Sequence, residues 1–244
     1  MIITTIDRIS TYIQGSKNIL LDVSDTTNNY FIDRDVNEID VICISHAHIN
    51  HFTGLPALLL HNFAQRGRTK PLTVISPRTV KPYIQPYMDL YDLKQTYDIK
   101  FEYYDISAVR RWDFNNIIIH ARKAIHSIDE SYGYLIYDCD CDLLIQYTGD
   151  TEILPLSMFA DVVIADGTWA SDYTGKSYGH SWASDMIKVA HEIELPVLIL
   201  THQWYKYQDD AGRKYYTDDV IQTHKDCKNV KRIYIAYAGM QVKV

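Results

Sequence analysis

Five apolar runs in this chain each lead into side chains that hold metals or carry protons. The run from Ile39 to Ser45 enters His46-Ala47-His48-Ile49-Asn50-His51, and that from Ile117 to Ala124 reaches His126. Leu143 to Thr148 precedes Gly149 and Asp150, Asp161 to Ala165 precedes Asp166, and Pro196 to Leu200 precedes Thr201 and His202. Short β-branched runs of this kind read as strands, and the carboxyl ends of strands are where α/β sheets gather their ligand sites. A fold that satisfies the pattern brings distant segments to one edge.

The remaining pattern agrees with an α/β chain. Strands are expected at Ile19 to Val23, Val41 to Ser45, Leu72 to Ser76, Ile117 to Ala121, Tyr132 to Tyr137, Leu143 to Tyr147, Val162 to Ala165, Val197 to Thr201 and Ile233 to Ala236. Helical spacing marks Leu55 to Gln65, Val80 to Leu93, Trp182 to Ile193 and Asp218 to Cys227. No linker, repeat or low-complexity tract divides the chain, so a single domain over 1–244 is expected. Its 244 residues are enough for a large core without disulfide staples. Cys43, Cys139, Cys141 and Cys227 lack the paired spacing of a zinc ribbon, and Cys139 and Cys141 are too close along a strand to bridge, which suits a reducing cytosol. The N-terminus has no apolar core of a signal peptide and no segment approaches about 20 apolar residues, so the chain is read as neither exported nor membrane-bound. With 31 acidic and 24 basic residues the formal charge is -7, which disfavours long nucleic acid as a partner.

Three histidines within six positions, with further His and Asp after other strands, form a donor set suited to two borderline metals such as Zn²⁺ or Mn²⁺. His61, His120, His191 and His224 lie within helical or apolar patterns and read as structural.

These residues, in this order, resemble the metallo-β-lactamase superfamily, whose signature is HxHxDH, and within it the ribonuclease Z branch. SHAHINHFTGLPALL resembles the signature and its helix, AIHSIDESYGYLI the next ligand strand, and YTGDTE the Gly-Asp segment. ADVVIADGTWA, GHSWASD, LILTHQWYKY and the closing AYAGMQVKV follow in the branch's order. The resemblance implies an αββα sandwich: two mixed β-sheets flanked by helices. It also implies two divalent cations, Zn²⁺ with Mn²⁺ as the alternative. His46, His48 and His126 would hold the first, His51, His202 and position 50 the second, and Asp150 would bridge them. His180 would protonate the leaving group, oriented by Asp166 where the branch usually has Glu.

Position 50 departs from the signature. The family's Asp there ligates the second metal and has been assigned as base toward the attacking water; Asn50 is a weaker ligand and accepts no proton. A deliberate inactivating change, a natural variant of reduced activity and a binding protein that has lost catalysis all fit.

Ribonuclease Z proteins that process transfer RNA carry a long arm between the middle ligand strand and the Gly-Asp strand. Here that interval is only Tyr137-Asp138-Cys139-Asp140-Cys141-Asp142. The armless relatives include the phage anti-Pycsar phosphodiesterases, which are commonly homodimers and degrade cyclic mononucleotide signals of antiphage immunity in the host cytoplasm. The expectation is therefore a phosphodiesterase hydrolysing 3′,5′-cyclic mononucleotides to nucleoside monophosphates. An endonuclease at RNA 3′ ends and a non-catalytic nucleotide-binding protein are the alternatives. Trp169, Tyr173, Tyr178, Trp182, Trp204, Tyr205 and Tyr207 flank the implied acid and last ligand as candidate base-stacking groups.

Overall fold

Two seven-stranded mixed sheets, each in its own compact unit, carry the chain. The structure is a computed structural model describing residues 1–35, 37–61, 67–91, 99–104, 110–152, 155–171, 176–204, 210–227 and 229–244, with only the backbone of 99–104, 110 and 210. One unit comprises 1–110 with 237–244, the other 111–236.

In the first unit the strands are β1 (Ile2–Thr5), β2 (Thr11–Gln14), β3 (Asn18–Leu21), β4 (Val41–Cys43), β5 (Leu72–Pro77), β6 (Ile99–Tyr104) and β14 (Met240–Lys243), in the order β14-β1-β2-β3-β4-β5-β6. Pairing is antiparallel from β14 to β3 and parallel from β3 to β6. Parallel strands need crossovers, and helices supply them. The helices are α1 (Thr27–Phe31), α2 (Ile49–Phe52), α3 (Leu55–Leu59) and α4 (Lys81–Leu90). Leu55, Leu58, Leu59, Ile84 and Met88 pack with Leu20, Ile42 and Val74 in one core cluster.

The second unit holds β7 (Arg110–Asp113), β8 (Ile117–Lys123), β9 (Tyr132–Asp138), β10 (Leu143–Tyr147), β11 (Val162–Asp166), β12 (Val197–Thr201) and β13 (Arg232–Ile235), ordered β13-β12-β11-β10-β9-β8-β7. Here β10 to β13 run parallel, while β8, β9 and β10 pair antiparallel. The crossovers are α5 (Ala183–Glu192) and α6 (Asp210–Asp226). All five residues of β11 and of β12 are buried, which is why those stretches read as unbroken apolar runs rather than alternating ones. Ala183, Met186, Ile187 and Ala190 of α5 and Tyr216 and Val220 of α6 close the core with them.

The expected fold class is thus observed: two mixed sheets flanked by helices. All nine expected strands occur, two with the expected bounds and the others with edges moved by one or two residues. β1, β2, β6, β7 and α1 are not expected from the pattern of runs, and β14 only from the resemblance of the closing segment; β1 and β2 carry threonines that the sheet buries, so neither shows polar and apolar alternation. The helix expected at Asp218 starts at Asp210, because its buried stripe of Gly212, Tyr216 and Val220 recurs every fourth residue through a polar segment containing a helix-disfavouring glycine. The ends expected for two other helices, at Gln65 and Leu93, lie outside the described residues. The four cysteines are free, and none of the described helices is long and apolar enough to cross a membrane.

Candidate metal and acid–base site

Chemistry-bearing side chains cluster at strand carboxyl ends within each unit. In the first unit, β3 ends at a buried Asp22, held at φ +52°. Its Oδ1 accepts the Ser45 N–H at 2.6 Å, and its Oδ2 accepts the Ser45 hydroxyl at 2.7 Å and His51 Nδ1–H at 2.7 Å. Ser45 has one hydroxyl proton and gives it to Asp22. The 2.9 Å contact between Ser45 Oγ and His46 Nδ1 must therefore be donated by the ring. Both buried imidazoles, His46 and His51, then carry their proton on Nδ1 and present a lone pair on Nε2. The His46 ring lies 4.6 Å from that of His48 and 4.1 Å from that of His51. α2 begins directly after His48, so one turn returns His51 to the same cluster, while Asn50 is exposed on that turn.

The second unit repeats the device. His126 donates from Nδ1 to the Gly179 carbonyl at 2.6 Å. Thr168 gives its hydroxyl proton to Asp166 Oδ1 at 2.6 Å, so it accepts from His202 Nδ1 at 3.0 Å. His180 Nδ1 lies 2.9 Å from Asp166 Oδ2. Nε2 of His202 and of His126 lie 3.3 and 3.9 Å from Asp150 Oδ2. Ligand atoms of Asp166, His180 and His202 all lie within 4.8 Å of one another. Burial holds the His126 imidazole below its ordinary pKa, opposed mainly by Asp150, which favours the neutral ring that a metal takes.

The donor sets fit divalent cations. Metal-ligating histidines characteristically give their second ring N–H to a carboxylate, hydroxyl or carbonyl that fixes the tautomer. His46, His51, His126 and His202 each do so, all through Nδ1. His180 uses Nδ1 on Asp166, and its ring stacks on that of His202 at 4.7 Å, so proton transfer by this residue falls to Nε2.

His202 sits at φ +60°, a strained position for a non-glycine residue, and Gly179 at φ +83°, where glycine is required because a Cβ would come within 2.5 Å of His126 Nδ1.

Among the aromatics, Trp169 is buried, with its ring centroid 6.1 Å from that of His180 and 6.4 Å from that of Trp204, and Trp182 is half-buried. Tyr178 and Trp204 are exposed, while Tyr173, Tyr205 and Tyr207 lie outside the described residues. His61, His120, His191 and His224 are half-buried; His191 Nδ1 accepts the Asn229 N–H.

Sequence reasoning missed Asp22, Ser45 and Thr168, which set the imidazole tautomers. For Asp22 a signal existed: a carboxylate set in the apolar run Ile19-Leu20-Leu21-Asp22-Val23 has to be satisfied when buried.

Asp166 accepts four hydrogen bonds, from Thr151 N–H, Thr168 N–H, Thr168 Oγ and His180. Asp166→Asn replaces one acceptor oxygen by a donor facing His180 or Thr168. We expect kcat to fall by about 10²-fold or more, the scale of a lost general acid, with secondary structure retained. Parallel kinetics, metal analysis and circular dichroism check this; unchanged kcat would remove Asp166 from the machinery.

Buried imidazoles with enforced tautomers, beside carboxylates at the carboxyl ends of mixed-sheet strands, make a donor set that could hold divalent metal. The chain belongs to the beta-lactamase superfamily, whose domain profile matches residues 17–203. The ribonuclease Z of Saccharolobus solfataricus is 26% identical, over 79% of this chain and 80% of that protein. The crystal structure of the short form of human tRNase Z (ELAC1) superposes with a TM-score of 0.76 at 18% identity, covering 100% of this chain and 99% of the other. Unliganded yeast PDE1 gives 0.71 at 12% identity, covering 100% and 99%. The relatives matched in sequence include ribonuclease Z proteins, and the fold normally binds two divalent metals.

Proposed function

We propose that the chain is a metal-dependent phosphodiesterase that opens the 3′,5′-cyclic bond of mononucleotides to give nucleoside monophosphates, its two units acting as one catalytic domain. His46, His48 and His126 are assigned to one cation, His51, Asn50 and His202 to the other, and Asp150 to both. Bound divalent cations at such a site supply Lewis-acid stabilisation and an acidified water. Asp166 holds His180 through Nδ1, so that Nε2 delivers the proton to the sugar oxygen that leaves phosphorus, while water supplies the new oxygen.

The observation that carries the small-substrate reading is the connection between β9 and β10. Leu143 pairs with Asp138, so only residues 139–142 turn the chain. Asp138 Oδ1 accepts the N–H groups of Asp140 and Cys141 at 3.1 Å each, and Tyr137 OH donates to Asp142 Oδ1 at 2.6 Å. A turn this tightly bonded leaves no room in the sequence for an RNA-gripping arm. The charge of -7 supports the same choice.

A second reading, endonuclease action at RNA 3′ ends, is favoured by the ribonuclease Z relatives. A third, nucleotide binding without turnover, is favoured by Asn50. The purified protein, with Zn²⁺ or Mn²⁺, is to be assayed on the four common cyclic mononucleotides and on precursor transfer RNA, with metal content and mass in solution measured alongside. Hydrolysis of a cyclic mononucleotide by a metal-bound homodimer is the expected result. Faster cleavage of the RNA would establish the second reading, and binding without turnover of any phosphodiester, also after Asn50→Asp, the third.

A further inference from the structure

Beside His126, wholly within residues 111–236, lies a cavity of about 470 Å³ lined by Ile125, Glu152, Lys176, Ser177 and Tyr178 among others. Of its walls only His126 has a part in the proposed chemistry. The segment 176–179 is pinned from several sides. Trp169 Nε1–H and the His180 N–H both donate to the Ser177 carbonyl, at 2.8 and 3.0 Å. The Gly179 carbonyl receives His126 Nδ1–H at 2.6 Å, and Ser177 Oγ donates to Glu152 Oε1. These tethers hold Tyr178 at φ +53° and Gly179 at φ +83°, a pair of left-handed residues that a freely chosen loop would avoid for tyrosine. Tyr178, on that strained wall, is 62% exposed, and Ile125, which also lines the cavity, is 57% exposed. Two apolar surfaces are thus presented on a rigid frame beside one carboxylate and one ammonium.

We infer that this cavity is a nucleobase subsite and that Glu152 makes it select guanine. The inference rests on the reading of the substrate as a nucleotide. A flat base takes the exposed phenol face of Tyr178, and stacking of that kind tolerates any base. Discrimination therefore falls to the polar groups. Glu152 accepts only, and Ser177 occupies just one of its oxygens. Guanine offers two neighbouring donors, N1–H and the N2 amino group, and its O6 stands next to them as an acceptor for Lys176. Adenine and cytosine offer a single amino group next to an acceptor nitrogen. Uracil offers one N–H flanked by two carbonyl oxygens, which a carboxylate repels. The order is guanine, then adenine and cytosine, then uracil.

The test uses nucleosides, which need no turnover. Guanosine and uridine are titrated calorimetrically into the purified protein and into Glu152→Ala and Glu152→Gln, both at an exposed position. Guanosine is expected to bind about tenfold or more tighter than uridine, the scale of one bidentate base contact, and Glu152→Ala to abolish most of that ratio with Glu152→Gln between. Equal affinity for the two nucleosides, no binding of either, or a ratio unchanged in Glu152→Ala overturns the inference. Selective guanosine binding in a protein that hydrolyses no cyclic nucleotide would sink the phosphodiesterase reading and keep the subsite. Hydrolysis with a base preference indifferent to Glu152 would do the reverse.

Discussion

Asn50→Asp is expected to raise kcat on the preferred cyclic mononucleotide by about 10²-fold, the lower end of what a positioned base contributes. Asn50 lies on the exposed face of the first turn of α2, between half-buried His48 and buried His51. Its amide oxygen is a neutral ligand atom and takes no proton, whereas a carboxylate there adds charge to the ligand set and a proton acceptor beside the attacking water. The same change should bring metal content to two ions per chain. Steady-state kinetics and elemental analysis on paired preparations check both parts. If the Asp form gains neither ion nor rate, the amide is not what limits this site.

The second large effect is expected at Asp22. Asp22→Ala strands three donors, the Ser45 N–H, the Ser45 hydroxyl and His51 Nδ1–H, in a buried environment. Each unsatisfied buried donor costs roughly 1–3 kcal/mol, although neighbouring losses do not simply add. Alanine must also adopt the φ of +52°, which costs a further ~1 kcal/mol. A Tm lower by at least about 5 °C should follow for a chain of this size. Metal affinity should fall by about 10- to 100-fold, because His51 loses the partner that fixes its tautomer and, through Ser45, so does His46. Asp22→Asn, which keeps an acceptor oxygen and tolerates a left-handed backbone, should lie between. Competition with a chromophoric chelator measures the affinity; wild-type affinity in both variants would show that Asp22 orients nothing.

What the chain reveals without its structure divides along a physical line. Parallel strands buried on both faces leave unbroken apolar runs, so Val162 to Ala165 and Val197 to Thr201 were legible, and so were the polar residues ending them. The edge strand at Arg110–Asp113 and the Thr-rich β1 and β2 carry no such signal, since pairing rather than side-chain pattern makes them strands. Candidate ligands are legible because few other reasons place so many histidines so close together. The residues that aim them are not, because Asp22 is 23 positions from Ser45 and 29 from His51. Thr168, likewise, reaches His202 across 34 positions. Hydrogen-bond partners of that kind are contacts of the fold, and no local spacing announces them.

The carboxylate of Asp166 serves His180 directly and His202 through the Thr168 hydroxyl. In the proposed chemistry, proton delivery by His180 and the His202 share of cation binding therefore both run through one carboxylate. A change at Asp166 would disturb both of these proposed contributions at once. Thr168 marks the branch point: Thr168→Val would remove the link to His202 and leave the direct hydrogen bond between Asp166 and His180 in place.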